Sequence, residues 1–154
     1  QLTIIVSFQS LILDIAGNVG SQSLAVTIRV LMDETLTGRQ KLELVCKEGR
    51  IGLLNGLILG AASCGVVGLY IMLFKAKTAA FAFGISGCIG VALLLAMAVS
   101  SIVGTCVPLL FKKLGVDPAV ASGPLITTLN DLTAVVAYYG LAWLLLINTF
   151  GFGA

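Results

Sequence analysis

Histidine is absent from this 154-residue chain, and charged residues make up only 10% of it. The first absence removes the commonest general base and any imidazole ligand for zinc or copper. The second excludes an ordinary soluble domain, in which about 25% of residues are charged. With 58% hydrophobic residues and a mean hydropathy of +1.10, the chain reads as an integral membrane protein in a lipid bilayer. Period-2 alternation is also missing from its apolar runs, which excludes a closed β-barrel. There is no initiator Met, basic n-region or cleavage motif; an apolar stretch follows Gln1 at once. The chain therefore reads as a fragment of a longer protein and not as a signal peptide. Of the four cysteines, Cys64, Cys88 and Cys106 fall in apolar runs and Cys46 in a polar loop, without metal-type spacing. They are expected to be small thiols packed between helices, not a disulfide framework or a soft-metal site. A net charge of +2 says little about partners, and no nucleic-acid partner is expected.

What is present is four apolar stretches, at about 2–32, 51–74, 78–110 and 119–149. Each exceeds the ~20 residues a helix needs to cross the hydrocarbon core. The fold class is therefore all-α, a polytopic transmembrane bundle with four long membrane helices in one transmembrane domain over 1–154. Arg29, Arg39, Lys41, Lys47, Arg50, Lys112 and Lys113 make up seven of the nine basic residues and flank two loops, 33–50 and 111–117. Lys75 and Lys77 lie in the loop of the other side. The positive-inside rule places 33–50 and 111–117 in the cytoplasm and both chain ends outside. Residues 38–49 pattern as a short interfacial helix that closes at Gly49 and carries a Glu43–Lys47 pair. Gly52, Gly56 and Gly60, and then Gly84, Gly87 and Gly90, have the spacing of small residues that let membrane helices approach closely.

Two charges interrupt the apolar runs. Asp131 lies about 18 Å from the start of the fourth run at ~1.5 Å per residue, roughly mid-bilayer. An ionised Asp there costs at least ~2.5 kcal/mol, so it must face water, a partner group or a cation. Thr127 lies one turn before it on the same face, Thr128 and Asn130 are close by, and Ala134, Val135 and Tyr138 continue that face as an apolar floor. Pro124 is expected to kink or break the helix and to free the Val120 carbonyl. Asp117 is a plausible N-cap, with Pro118 at the first helical position. In the first run, Asp14, Asn18 and Gln22 recur at i, i+4 and i+8, which puts them on one helical face. Gly17 and Gly20 flank that face, either admitting another backbone or opening the helix. All these groups are oxygen donors, which suit hard cations such as Mg²⁺, Ca²⁺ or Mn²⁺. A pore with few carboxylates and many hydrogen-bonding groups fits a largely hydrated ion.

Gly17-Asn18-Val19-Gly20-Ser21-Gln22-Ser23 with Val26-Thr27-Ile28-Arg29 resembles a segment of a known family. So do Val107-Pro108-Leu109-Leu110, Lys113 to Ala119, and Ala121-Ser122-Gly123-Pro124-Leu125-Ile126-Thr127-Thr128-Leu129-Asn130-Asp131-Leu132-Thr133. The family is the MgtE-type magnesium transporters and channels, related to the solute carrier 41 family of animals. The resemblance implies a homodimer with five membrane helices per subunit, of which this chain carries the second to fifth, and ions passing along the dimer axis. It places Asp131 on the family's ion-binding acid, and Gly17 and Asn18 on its pore-lining motif. Asp14 is a departure, and a second carboxylate ring would shift preference toward Ca²⁺ or Mn²⁺.

The expected function is divalent-cation transport, Mg²⁺ above Mn²⁺ or Ca²⁺, across the plasma membrane. The metal-binding set is Asp131, Asn18, Gly17 and Asp14 with Gln22, Thr127, Thr128 and Asn130. An exporter coupled to a Na⁺ or H⁺ gradient is the rival within that class. An intramembrane enzyme with Asp14 and Asp131 as an aspartyl dyad is the rival outside it. No Gly-x-Gly-Asp motif surrounds either acid, so the chain is read as a non-enzyme with no catalytic residues. A purely structural subunit would use the polar stripes as helix glue, for which a mid-membrane carboxylate is an expensive choice.

Overall fold

The computed structural model describes residues 6–33, 35–76 and 78–150. Residues 2–5 of the expected first span, and Lys77, lie outside the described residues. Four helices account for nearly all of the rest: α1 (Gln9–Asp33), α2 (Gly38–Phe74), α3 (Ala79–Lys113) and α4 (Pro118–Phe150). No strand occurs among the described residues. Three of the helices, α1, α2 and α3, are long and apolar enough over their described residues to cross a membrane. The protein is a multi-pass membrane protein with a helical fold.

Short connections with explicit caps set the helices side by side. The α2 N-terminus is a capping box: Thr37 N–H donates to Gln40 Oε1 at 2.8 Å, and Thr37 Oγ1 accepts from Gln40 N–H at 3.4 Å. Helix α3 ends with Gly115 at φ +74°. The Gly115 N–H donates to Lys112 O at 3.3 Å and the Val116 N–H to Phe111 O at 3.0 Å. That pair of bonds is a Schellman closure, which satisfies two of the terminal carbonyls. Two residues later Asp117 Oδ1 accepts from Ala119 N–H at 2.9 Å, so the expected N-cap forms and the chain turns directly into α4.

Helix α3 is the centre of the bundle. It packs against α2, α1 and α4, α1 also packs on α4, and α1 and α2 barely meet. Fifteen of its residues are buried, against seven each on α1 and α2. The apolar core joins Ile12 and Ala16 of α1, Val67 and Ile71 of α2, the Phe81–Ala96 face of α3, and Ala134, Tyr138 and Ala142 of α4. Against this core α2 lies unusually close to α3. A Cβ on Gly60 would sit 2.6 Å from Gly90 O, one on Gly56 2.8 Å from Leu94 Cα, and one on Gly52 2.5 Å from Ser101 Cβ. The period-four glycines therefore serve packing, as their spacing predicts. On α3 only part of that expectation is met: Gly90 meets Gly60, but a Cβ on Gly87 would find open space.

Several local expectations are corrected. Residues 38–49 are not a separate interfacial helix, because α2 runs unbroken through Gly49 to Phe74. An interior Gly costs only ~1 kcal/mol, and α2 runs close to α3 here: a Cβ on Gly49 would sit 3.3 Å from Ile102 Cγ1. At 37 residues and ~1.5 Å per residue, α2 outruns the ~30 Å hydrocarbon core, so its charged first turns extend beyond it. Cys46 thus lies on a helix, not in a loop, and is exposed, as is Cys106; Cys64 is half-buried and Cys88 buried. Glu43 pairs with Arg39 (2.9 Å) on its N-terminal side, not with Lys47. Neither Gly17 and Gly20 in α1 nor Pro124 in α4 breaks its helix. Beyond Pro124 the turn is supported by Thr127 Oγ1, which donates to Gly123 O at 3.2 Å, and Thr128 Oγ1, which donates to Pro124 O at 3.0 Å.

Candidate cation site

The buried face of α1 is Ile12, Ala16, Val19, Gly20, Ser23, Thr27 and Leu31. Asp14, Asn18 and Gln22 each stand two residues from Ile12, Ala16 and Gly20, or about 200° round the helix at 100° per residue. They therefore point away from the bundle, and all three are exposed, as is Ser21. On α4 the buried strip is Ile126, Asn130, Ala134, Tyr138 and Ala142, again at i, i+4 spacing. Thr127, Thr128 and Asp131 lie off that strip and are exposed. Ala134 and Tyr138 are accordingly not a floor beneath Asp131 on its own face; they turn inward to the core while Asp131 turns out.

Six of the eight expected site residues thus share one property and two depart from it. Asp14, Asn18, Gln22, Thr127, Thr128 and Asp131 are exposed, and Gly17 is half-buried with open space where a Cβ would go. Asn130 is only 1% exposed. None of Asp14, Asn18, Gln22 and Asp131 makes a hydrogen bond or ion pair among the described residues. Nor do three or more His, Cys, Asp or Glu side chains gather into a metal-sized group there. A single chain therefore presents the polar stripes without closing them into a cage. That arrangement suits an ion that keeps its water shell and is held through it, which Mg²⁺ favours. The neighbouring surface makes the stripes conspicuous: α2 exposes Leu53, Leu54, Leu57, Ile58, Val66 and Leu69, a surface suited to lipid.

Inside the bundle the sequence reading missed a second polar feature. Ser101 Oγ donates to the Glu48 carbonyl at 2.7 Å and accepts from Ser23 Oγ at 2.8 Å. One hydroxyl thereby joins α1, α3 and α2. Thr27 and Thr105 return their hydroxyls to the carbonyls of Ser23 and Ser101, at 2.8 and 2.9 Å. At the basic end, Lys112 Nζ donates to Leu31 O at 3.4 Å, placing the ends of α1 and α3 together; at the other end Tyr139 Oη donates to Gln9 Oε1 at 2.7 Å. The only sequence signal for the hydroxyl junction was the small-residue spacing of Gly20, Ser23 and Thr27 and of Ser101, Gly104 and Thr105.

Most of this sequence has counterparts among known proteins. The family described as MgtE, divalent cation transporter, matches residues 9–141. The magnesium transporter MgtE of Enterococcus faecalis is 39% identical over 142 residues, which is 92% of this chain and 29% of that protein. Those of Bacillus subtilis and Thermus thermophilus are 33% and 34% identical, over 92% and 94% of this chain and 30% of each relative. The chain spans about 30% of the length of the curated relatives it matches. With its exposed carboxylates on apolar helices and a family match over most of its length, the chain belongs to the MgtE family of divalent cation transporters.

Proposed function

We propose that this chain lines the pore of a Mg²⁺ transporter, with Asp131 as the group that holds a hydrated cation midway across the membrane. The observation that carries the reading is the outward position of Asp14, Asn18, Gln22, Thr127 and Asp131 on helices otherwise fit for lipid. A carboxylate facing lipid costs at least ~2.5 kcal/mol, so this surface needs water and a polar partner. A second copy of the chain supplies both: apposed across a two-fold axis, two Asp131 carboxylates and two α1 stripes enclose a wet path of oxygen donors. Each carboxylate attracts the ion through its water shell, and Asn18 and Gln22 accept or donate to those waters. The relatives' name, magnesium transporter, supports Mg²⁺ as the ion carried.

In this reading the membrane is the plasma membrane, and the ends of α1 and α3 that Lys112 ties together face the cytoplasm. Arg29, Arg39, Lys41, Lys47, Arg50, Lys112 and Lys113 cluster at that end, as the positive-inside rule requires. The four helices stand as the second to fifth of a five-helix subunit. The test is Mg²⁺ uptake by the full-length protein in proteoliposomes loaded with a Mg²⁺-sensitive dye. Saturable uptake is expected in the wild type and its loss in Asp131→Ala. Wild-type uptake by Asp131→Ala would sink the assignment.

A further inference from the structure

We propose that Asn130 is a positioning residue: its amide keys α4 into a notch at Gly20 of α1 and so fixes where the neighbouring Asp131 carboxylate stands. The inference rests on the reading of Asp131 as the cation-holding group. Asn130 is 1% exposed, and neither its Oδ1 nor its Nδ2 has a hydrogen-bond partner among the described residues. An amide left so costs about 1–3 kcal/mol, which an apolar side chain would avoid, so packing alone does not account for it. The amide presents its Nδ2 end to Gly20. A Cβ built there falls 2.9 Å from Asn130 Cγ and 3.2 Å from Oδ1, and overlaps Nδ2. Only glycine at position 20 leaves this slot.

The notch has no lateral play. On its other side Gly20 presses on Gly104 of α3, where a Cβ would overlap the Gly20 carbonyl and come within 3.2 Å of Ser23 Cβ. Gly20 is therefore held between α3 and α4, and α4 cannot slide or rotate on α1 without lifting Asn130 from its slot. A slip of one residue would present Leu129 or Asp131 to the notch: one is branched where a planar group fits, the other charged. The requirement for a flat, short side chain leaves Asn and Asp. A second carboxylate beside Asp131 would repel it, which selects the amide despite its lack of partners. Since Asp131 shares a peptide bond with Asn130, fixing one fixes the backbone from which the other projects.

The experiment measures the Mg²⁺ concentration for half-maximal uptake and the maximal rate in proteoliposomes of the full-length protein. The variants are Gly20→Ala, Asn130→Ala, the double variant and Asp131→Ala. Gly20→Ala should raise the half-saturating concentration about fivefold, the change expected when a carboxylate moves ~1 Å further from a divalent ion. Asn130→Ala in the Gly20→Ala background vacates the slot and should return it toward the wild-type value. A purely structural contact would lower the yield of folded protein without moving half-saturation and without that rescue. If Gly20→Ala does not fold, Asn130→Ala alone, which leaves space and no clash, should still raise half-saturation. Unchanged half-saturation in the folded single variants, or a double variant no closer to wild type than Gly20→Ala, overturns the proposal. If Asp131→Ala retains uptake, the assignment of Asp131 itself falls and the positioning role with it; loss of uptake there with no effect at Gly20 or Asn130 refutes the positioning role alone.

Discussion

The α2–α3 interface and the outer faces of α1 and α4 are built from the same scarce resources, small residues and isolated polar groups, to opposite ends. Between α2 and α3, glycines at 52, 56 and 60 bring two backbones into contact, and Ser101 spends its donor on the Glu48 carbonyl and its acceptor on Ser23. The Ser101 hydroxyl is thereby satisfied within the bundle. On α1 and α4, Asp14, Asn18, Gln22 and Asp131 are exposed and make no bond within the described chain. A polar group in a membrane bundle that is satisfied locally holds helices together; one left open by its own chain marks where water, an ion or another subunit enters.

The contrast predicts that variants on the two surfaces separate function from stability. Asp131→Ala should have the largest effect, a loss of Mg²⁺ uptake of at least about 100-fold, because a carboxylate ~5 Å from a divalent ion contributes several kcal/mol even at an effective dielectric of 20. Its unfolding free energy in detergent should change by no more than about 0.5 kcal/mol, as for an unpaired surface residue. Gly60→Val should do the reverse. With Gly90 O 2.6 Å from the new Cβ, it should destabilise the bundle by about 1–3 kcal/mol or more, read by thermal unfolding, while folded protein keeps the wild-type half-saturation. Asp14→Asn tests whether the second acid takes part in selection: the rate for Ca²⁺ relative to Mg²⁺ should fall a few-fold in a paired flux assay. Smallest of all, Arg39→Ala removes an ion pair whose side chains are 89% and 62% exposed. It should shift stability by less than about 0.5 kcal/mol and leave uptake unchanged.

How far the molecule could be read from its sequence differs from element to element. The spans were legible because ~20 apolar residues have few soluble uses, and Gly52, Gly56 and Gly60 because a period of four puts small residues on one helical side. The Asp117 cap was likewise a local matter, decided within a few residues. By contrast, Gly49 looks like a helix terminator, yet α2 continues, since its packing against α3 outweighs a propensity of ~1 kcal/mol. Pro124 looked like a break, yet its helix continues with threonine hydroxyls bonded back to the Gly123 and Pro124 carbonyls. The Ser23–Ser101–Glu48 junction was illegible because its partners lie 78 and 53 residues apart, and hydroxyls on apolar helices carry no mark of their partner.

Composition, run length and the cost of a charge in hydrocarbon already implied a helical membrane bundle with an acid at 131 that had to meet something polar. Those properties follow from transfer energies and helix geometry, which act on each segment alone. Whether a residue on α4 looks inward or outward depends on the rotation at which that helix docks, and docking arises from long-range packing. Adjacent residues then part company: Asn130 is pressed into the Gly20 notch, and Asp131, about 100° further round, is left open. The sequence shows an Asn-Asp pair, and packing makes one of them an anchor and the other a candidate ion site.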